Sequence, residues 1–159
     1  MKLKKTNAMR HLDTHKVDYT AHDLNMKEAA DAVTVSEKLG ANVDCVFKTL
    51  VAIANDKEHF VFMIPAARHL SLKKAAKAAG KKKIEMIPQK ELLPLTGYVH
   101  GGCSPLGMKK QFATFIDESA ADADRIFFSG GKIGVQIEMN PKDLLENASL
   151  NIQLFDLCE

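Results

Sequence analysis

The sequence predicts an α+β fold with mainly antiparallel strands, and two observations support this prediction. Segments with the β-rich or alternating pattern of strands outnumber the helical segments, and two of them flank a hairpin turn. The chain has 159 residues, of which 46% are hydrophobic. That is enough to bury a core without disulfide or metal support. We expect residues 1–159 to form a single domain.

The beginning of the chain predicts a helix, a short strand and a second helix. Thr6 is a suitable N-cap for a helix whose apolar residues continue to Leu12. Residues 17–21 alternate between apolar and polar side chains, as a strand does. The segment Lys27–Leu39 predicts a helix, and Gly40 can adopt the left-handed backbone that ends it.

The strongest local signal is "VFKTLVAIANDKEHFVFMI" at residues 46–64. Two β-rich runs surround the turn formers Asn55 and Asp56, and Pro65 follows the second run. This pattern predicts a β-hairpin.

The segment after the hairpin predicts a short helix and smaller elements. Ser71 is a suitable N-cap for "LKKAAKAAG" at residues 72–80. The buried stripe of this helix is predicted to contain Leu72, Ala75, Ala76 and Ala79. "KIEMI" at residues 83–87 predicts a strand, and Pro88 can open a helical turn that reaches Leu93.

Three more strands and one helix are predicted in the last third of the chain. The strands are "FATFI" at residues 112–116, "RIFF" at residues 125–128 and "IGVQIEM" at residues 133–139. The helix is "NPKDLLEN" at residues 140–147, with Asn140 as its cap and a proline in its first turn.

The composition argues against a secreted or membrane protein. The basic N-terminus is not followed by the apolar segment of a signal peptide, and the apolar runs are far too short to span a bilayer. The three cysteines, Cys45, Cys103 and Cys158, have no CxxC spacing and an odd number, which favours reduced thiols. We therefore expect a cytoplasmic protein that does not contact a membrane.

Positive charge is concentrated in one part of the chain. The net charge is only +2, but residues 71–90 contain seven lysines against the single Glu85, a local charge of +6. One interpretation is the solvated face of a lysine-rich helix. The other is a surface that attracts a polyanion. Charge alone leaves both open.

Lys48 is the first candidate for chemistry. It lies within the apolar strand "VFKTLVAI", where its ammonium group would be partly desolvated and could act as a directed hydrogen-bond donor. The alternative is a lysine that protects an edge strand from aggregation.

Two glycine-rich stretches are the second candidate, "GYVHGGCSPLGMKK" at residues 97–110 and "FSGGKIG" at residues 128–134. Glycines without Cβ atoms allow a ligand close to the backbone and allow N–H groups to converge on an oxygen. The alternative is a pair of tight turns. Neither stretch matches a nucleotide-binding fingerprint.

Two further possibilities are weaker. His11 and His15 have the i, i+4 spacing of metal ligands, but no third ligand lies nearby in the sequence, so we expect no metal site. Cys103 could be a nucleophile with His100 as its base, or simply a packed thiol.

Taken together, the motifs resemble the YbaK/EbsC family of aminoacyl-tRNA deacylases, which are related to the editing domain of bacterial prolyl-tRNA synthetases. The resemblance lies in "VFKTLV" at residues 46–51, "TGYVHGGCSPLGMKK" at residues 96–110 and "FSGGKIGVQIEM" at residues 128–139. It implies a mixed, largely antiparallel, barrel-like sheet with flanking helices. It also implies removal of cysteine mischarged on proline tRNA, through attack of the cysteine thiol on its own ester.

The resemblance also implies roles for individual residues. It makes Lys48 the catalytic residue and implies no cofactor. The substrate-binding residues would be Leu24, Thr49, Gly101, Gly102, Ser129, Gly130 and Gln136. The lysines that would contact tRNA phosphates are Lys73, Lys74, Lys77, Lys81, Lys82 and Lys83. The partners would be the acceptor end of aminoacylated tRNA and, as a candidate, prolyl-tRNA synthetase.

Two positions depart from the pattern of the best-known deacylases of this family. Those proteins have an aspartate where this chain has Gln136, and a tyrosine where it has Leu24. An amide cannot pair with an α-ammonium group as a carboxylate does. Two alternatives follow, namely editing of another small amino acid on tRNA, or a non-catalytic module that binds tRNA or a synthetase.

Overall fold

A computed structural model of the chain describes residues 4–147 and 150–159 and confirms the α+β fold. Its α-helices are α1 (Asn7–Thr14), α2 (Ala32–Leu39), α3 (Leu72–Ala79), α4 (Gln89–Thr96) and α5 (Pro141–Glu146). Its strands are β1 (Thr20–Asp23), β2 (Phe47–Ala54), β3 (His59–Pro65), β4 (Ile84–Met86), β5 (Ala113–Asp117), β6 (Ile126–Lys132), β7 (Val135–Met139) and β8 (Ile152–Phe155). Two short 3-10 helices cover Val43–Cys45 and Glu118–Asp122.

The strands form two sheets that adjoin at one bridge. One sheet has the order β1-β7-β6 and is antiparallel, and the other has the order β4-β2-β3-β5-β8. The second sheet is mixed, because β5 pairs in parallel with both β3 and β8. A bridge between Val46 and Phe127 links the sheets. The strands of residues 4–147 and 150–159 therefore do not close into the barrel that the resemblance implied.

The core has two main layers, one on each side of the larger sheet. Phe128, Ile137 and Met63 belong to a layer that α1 covers, while α3 packs its small residues Ala75 and Ala76 on the opposite layer. The first residues of β2, before Val51, lie next to the smaller sheet.

The hairpin prediction is confirmed. Phe47 pairs with Pro65 and Ile53 pairs with His59 in one continuous antiparallel register. The Asp56 carboxylate accepts the Glu58 N–H in the turn, which explains why these polar residues reverse the chain there.

The predicted helix caps are also confirmed. The side chains of Thr6, Ser71 and Asn140 each accept a backbone N–H of their helix, and Gly40 and Gly80 have the left-handed backbone that ends a helix. Each side-chain cap satisfies one N–H that the helix itself leaves unpaired.

The structure corrects four predicted elements. The second helix begins at Ala32 and not at Lys27, because the Asp31 carboxylate caps it. The first strand covers Thr20–Asp23 and not residues 17–21, and Leu72 is 43% exposed and not part of the buried stripe of α3. The glycines at 130 and 131 lie within β6 and not in a separate loop.

No helix in the described part of the chain is long and apolar enough to cross a membrane.

Candidate functional site

A cleft of about 350 Å³ lies where the two sheets adjoin. Four parts of the chain form its walls, namely the start of β2, the β6–β7 hairpin, the segment 24–32 and the loop that follows α4. Six residues predicted for the site line it: Leu24, Lys48, Thr49, Gly101, Ser129 and Gln136. The fold therefore brings together the three sequence motifs that are far apart in the chain.

Lys48 contributes the ammonium group of the cleft. The residue lies on β2 opposite Ile64 and is half-buried. It has no ion pair or hydrogen-bonded side-chain partner in residues 4–147 and 150–159. An unpaired cation in a partly desolvated cleft interacts more strongly with a ligand anion than one at a free surface.

Thr49 offers backbone groups as well as its hydroxyl group. Alternate residues of an antiparallel strand direct their N–H and C=O to the same side. The Val51 carbonyl accepts the Ile87 N–H on the β4 side, so the backbone of Thr49 also points to that side. In the described chain β4 pairs with Ala52–Ala54 and no ladder pair is formed at Thr49 on this edge of β2.

Two buried polar atoms around the cleft have no hydrogen-bond partner among the described residues. They are the Thr49 Oγ1 and the Gln136 Oε1, which belong to opposite walls. A buried polar atom without a partner costs about 1–3 kcal/mol. Because both atoms are almost fully covered, each would need a rotation of its side chain to bond with a molecule that fills the cleft.

The glycine-rich stretches pack against each other, which the sequence did not indicate. A Cβ on Gly102 would lie 2.9 Å from the Ile133 nitrogen, and a Cβ on Gly130 would lie 2.8 Å from Val135 Cγ1. Both glycines are buried and lie behind the lining of the cleft. Gly102 lacks a side chain because the two stretches meet there, whereas Gly130 leaves room for Val135 and Ile137 of the neighbouring strand β7.

Gly101 differs from these two glycines because it lines the cleft. Its φ is +84°, which strains any residue with a side chain, and a Cβ would lie 2.5 Å from the Cβ of Ala29. Gly101 thus allows both the sharp turn and the close approach of the segment 24–32.

Ser129 occupies the wall formed by β6. It pairs with Gln136 across the β6–β7 hairpin, and its Oγ accepts the Gly131 N–H at 3.1 Å. The register of the hairpin shifts between Ser129 and Lys132. Such a bulge redirects side chains, and here it lies beside the cleft.

Most of the segment 24–32 was not predicted to belong to the site, because residues 27–31 were assigned to a helix. The Leu24 N–H donates to the Gly134 carbonyl at 2.7 Å, and Met26 packs against Gly134. These contacts hold the segment over the cleft. The aspartate at position 31, a residue type that favours the N-cap position, was the sequence sign that the helix begins later.

Cys103 lines the cleft, but its thiol is not activated. Burial raises the pKa of Cys103 to about 12, so the thiolate is scarce at neutral pH. Its Sγ contacts the Ser104 carbonyl at 3.9 Å and makes no hydrogen bond with His100. This geometry favours the packed thiol over the nucleophile.

The two N-terminal histidines do not form a metal site in the described residues. The rings of His11 and His15 lie 4.5 Å apart, and no group of three potential metal ligands surrounds them.

The lysines of residues 73–83 lie outside the cleft lining. Three are tied by ion pairs: Lys74 to Asp156, Lys81 to Asp56 and Glu58, and Lys83 to Glu85. The other three, Lys73, Lys77 and Lys82, are exposed and have no partner in the described chain. Only these three remain free for an external anion.

Comparison with known proteins identifies a family and a relative that this chain matches. The aminoacyl-tRNA editing domain matches residues 26–146. A relative from Enterococcus faecalis, named as a candidate Cys-tRNA(Pro)/Cys-tRNA(Cys) deacylase, EbsC, is 46% identical over 142 residues, which are 89% of this chain and 87% of the relative.

Two solved structures share the fold. Hypothetical protein APE2540 has a TM-score of 0.85 at 19% identity and covers 97% of this chain and 100% of its own. A candidate trans-editing enzyme for prolyl-tRNA synthetase has a TM-score of 0.80 at 22% identity and covers 96% of this chain and 95% of its own. At these identities the matches establish the fold alone.

Proposed function

The chain belongs to the aminoacyl-tRNA editing domain family, and we propose that it is a trans-editing deacylase that removes cysteine mischarged on proline tRNA. The name of the 46% identical relative supports this substrate. The observation that carries the proposal is the unpaired ammonium group of Lys48 in a cleft whose walls also hold the partnerless Thr49 Oγ1 and Gln136 Oε1.

In the proposed reaction the nucleophile comes with the substrate. The cysteine sulfur attacks its own ester carbonyl, the bond from that carbonyl to the ribose oxygen breaks, and the ribose oxygen takes the proton that the thiol loses. The products are tRNA with a free terminal hydroxyl and a cyclic cysteine thiolactone. The protein accelerates this step by placement and electrostatics.

Individual residues of the cleft would have separate roles in this reaction. Lys48 would donate to the ester or ribose oxygens as they gain negative charge. The open backbone of Thr49, together with Gly101 and Ser129, would hold the aminoacyl group and the terminal adenosine. Leu24 and Gln136 would contact the amino acid. Gly102 and Gly130 would act from behind the lining, Gly102 by allowing the two glycine-rich stretches to meet and Gly130 by allowing β6 and β7 to pack closely.

A polyanionic substrate also needs a surface for its phosphates. The exposed Lys73, Lys77 and Lys82 would contact the acceptor stem, where each phosphate neutralised makes binding more sensitive to salt. The other lysines of this group, Lys74, Lys81 and Lys83, form ion pairs within the protein. They would have to break these ion pairs before they could bind a phosphate. We propose further that residues 1–159 act as one domain, in the cytoplasm, with prolyl-tRNA synthetase as a candidate partner.

The test is a deacylation assay of the purified protein on separately prepared cysteinyl-, alanyl- and seryl-tRNA(Pro). We expect cysteinyl-tRNA to be cleared at least about 100-fold faster than the other two, because a hydroxyl is a poor nucleophile and alanine has none. Faster clearance of alanyl-tRNA would favour editing of another small amino acid. The uncharged side chain of Gln136 would be compatible with such a substrate. Binding of all three without cleavage would reject the enzyme and select the tRNA-binding module.

Cys103 should be dispensable in this assay. We expect Cys103→Ala to keep the rate for cysteinyl-tRNA(Pro) within about threefold of the wild type, since loss of a true nucleophile costs a factor of about 10⁶. Thermal melting measured in parallel accounts for any loss of packing. A fall of several orders of magnitude in a folded variant would make Cys103 a nucleophile after all.

A further inference from the structure

Asp31 brings a negative charge to the cleft that contains Lys48. Among the residues that line the cleft, Asp31 is the only carboxylate and Lys48 is the only lysine or arginine. The sequence analysis did not single out Asp31, because residues 27–31 were assigned to the body of a helix.

The exposed Asp31 carboxylate is bonded only to hydroxyl and backbone N–H donors among the described residues, which leaves its charge uncompensated. Its Oδ1 accepts the Thr34 N–H at 2.8 Å and caps α2, and the Thr34 hydroxyl and the Val33 N–H also donate to the carboxylate. The bond from Thr34 lowers the pKa of Asp31, so the carboxylate stays ionised well below neutral pH.

Asp31 and Lys48 do not neutralise each other. No lysine, arginine or histidine nitrogen of residues 4–147 and 150–159 lies within 4.0 Å of the Asp31 carboxylate. Two opposite charges thus border one cleft and remain apart. A ligand with its own separated charges would complement both.

An aminoacyl ester has this distribution of charge. Its α-ammonium group is positive, and it is bonded to the carbon next to the carbonyl whose oxygen becomes negative during acyl transfer. The Lys48 ammonium group can donate a hydrogen bond to the carbonyl oxygen. Gln136 also lines the cleft, but its amide has no charge with which to balance the ammonium group.

We propose that Asp31 binds the α-ammonium group of the aminoacyl ester and makes the cleft selective for a free amino terminus over a blocked one. This proposal rests on the proposed function, because it takes an aminoacylated adenosine as the ligand. It assigns Asp31 to substrate selection in addition to its structural role as a helix cap.

The two roles of Asp31 can be separated by Asp31→Asn. Asparagine caps helices as well as aspartate does, so this variant keeps the bond to Thr34 and removes only the charge. Glu28→Gln is the matched control, because Glu28 is an exposed acid of the same segment that does not line the cleft. Equal melting temperatures of the three proteins would show that the cap is intact.

The measurement is calorimetric binding of two probes that cannot be hydrolysed. One is adenosine with cysteine joined to the 3′ position through an amide, and the other is the same molecule with its α-amino group acetylated. We expect the wild type and Glu28→Gln to prefer the free amine by about fivefold, the upper range for an exposed ion pair. Asp31→Asn should lose this preference by weakening only the free-amine probe.

The outcomes separate this proposal from the proposed function. An undiminished preference in Asp31→Asn, or failure of the wild type to bind either probe, would overturn the role of Asp31. If the preference depends on Asp31 but no aminoacyl-tRNA is deacylated, the role of Asp31 stands and the proposed enzyme activity fails.

Discussion

Lys48→Ala is expected to lower the deacylation rate of cysteinyl-tRNA(Pro) at least about 100-fold, the range seen when one preorganised donor to a developing negative charge is removed. Lys48 is the only lysine or arginine in the cleft lining, and no described carboxylate compensates its charge. No other lysine or arginine of the described lining can therefore replace it. The variant should fold, because a half-buried lysine without a partner contributes little to stability.

The measurement compares single-turnover rates and melting temperatures of wild type, Lys48→Ala and Lys38→Ala. Lys38 is an exposed lysine on α2 that has no partner in the described chain and does not line the cleft. The control should keep the wild-type rate. If Lys48→Ala is folded and retains most of the activity, the charge of Lys48 has no catalytic role.

Gly102→Ala is expected to destabilise the protein by about 1–3 kcal/mol, the usual cost of extra volume in a packed interior. The added Cβ would lie 2.9 Å from the Ile133 nitrogen and 3.1 Å from the Lys132 carbonyl carbon. Both are backbone atoms, so the strain cannot be relieved by rotating a side chain. Because Ile133 lines the cleft, we also expect a lower deacylation rate.

Denaturant unfolding of Gly102→Ala checks this prediction, with Gly80→Ala as the control. Gly80 ends α3 with a φ of +69° and has open space around its Cβ position, so it tests backbone strain without a collision. The control should lose about 1 kcal/mol and no activity. Unchanged stability and activity in Gly102→Ala would mean that the two glycine-rich stretches are not tightly packed.

Local signals in the sequence predicted the elements that local interactions form. The hairpin around Asn55 and the helix caps at Thr6 and Ser71 depend on residues only a few positions apart. The parallel strand β8 was missed, because its pairing partner β5 lies more than 30 residues earlier and no local pattern reports that pairing.

The site was predictable in part for the same reason. Lys48 was recognisable as a cation within an apolar strand, and the resemblance pointed to Ser129 and Gln136. The contribution of Asp31 was hidden, since a cap and a cleft residue look alike until the segment before α2 is seen to lie against Gly101. The reason for Gly102 also appears only when the two glycine-rich stretches are in contact, and the reason for Gly130 appears only when β6 packs against Val135 of β7.

The most direct test of the account is the identity of the first product released from cysteinyl-tRNA(Pro) in water enriched in oxygen-18. A reaction in which the substrate thiol attacks consumes no water, so acid-quenched single-turnover samples should contain unlabelled cysteine thiolactone before any free cysteine. Mass spectrometry distinguishes the two, because the thiolactone is lighter than cysteine by one water molecule. Free cysteine carrying oxygen-18 as the first product would show that water attacks the ester and would contradict this mechanism.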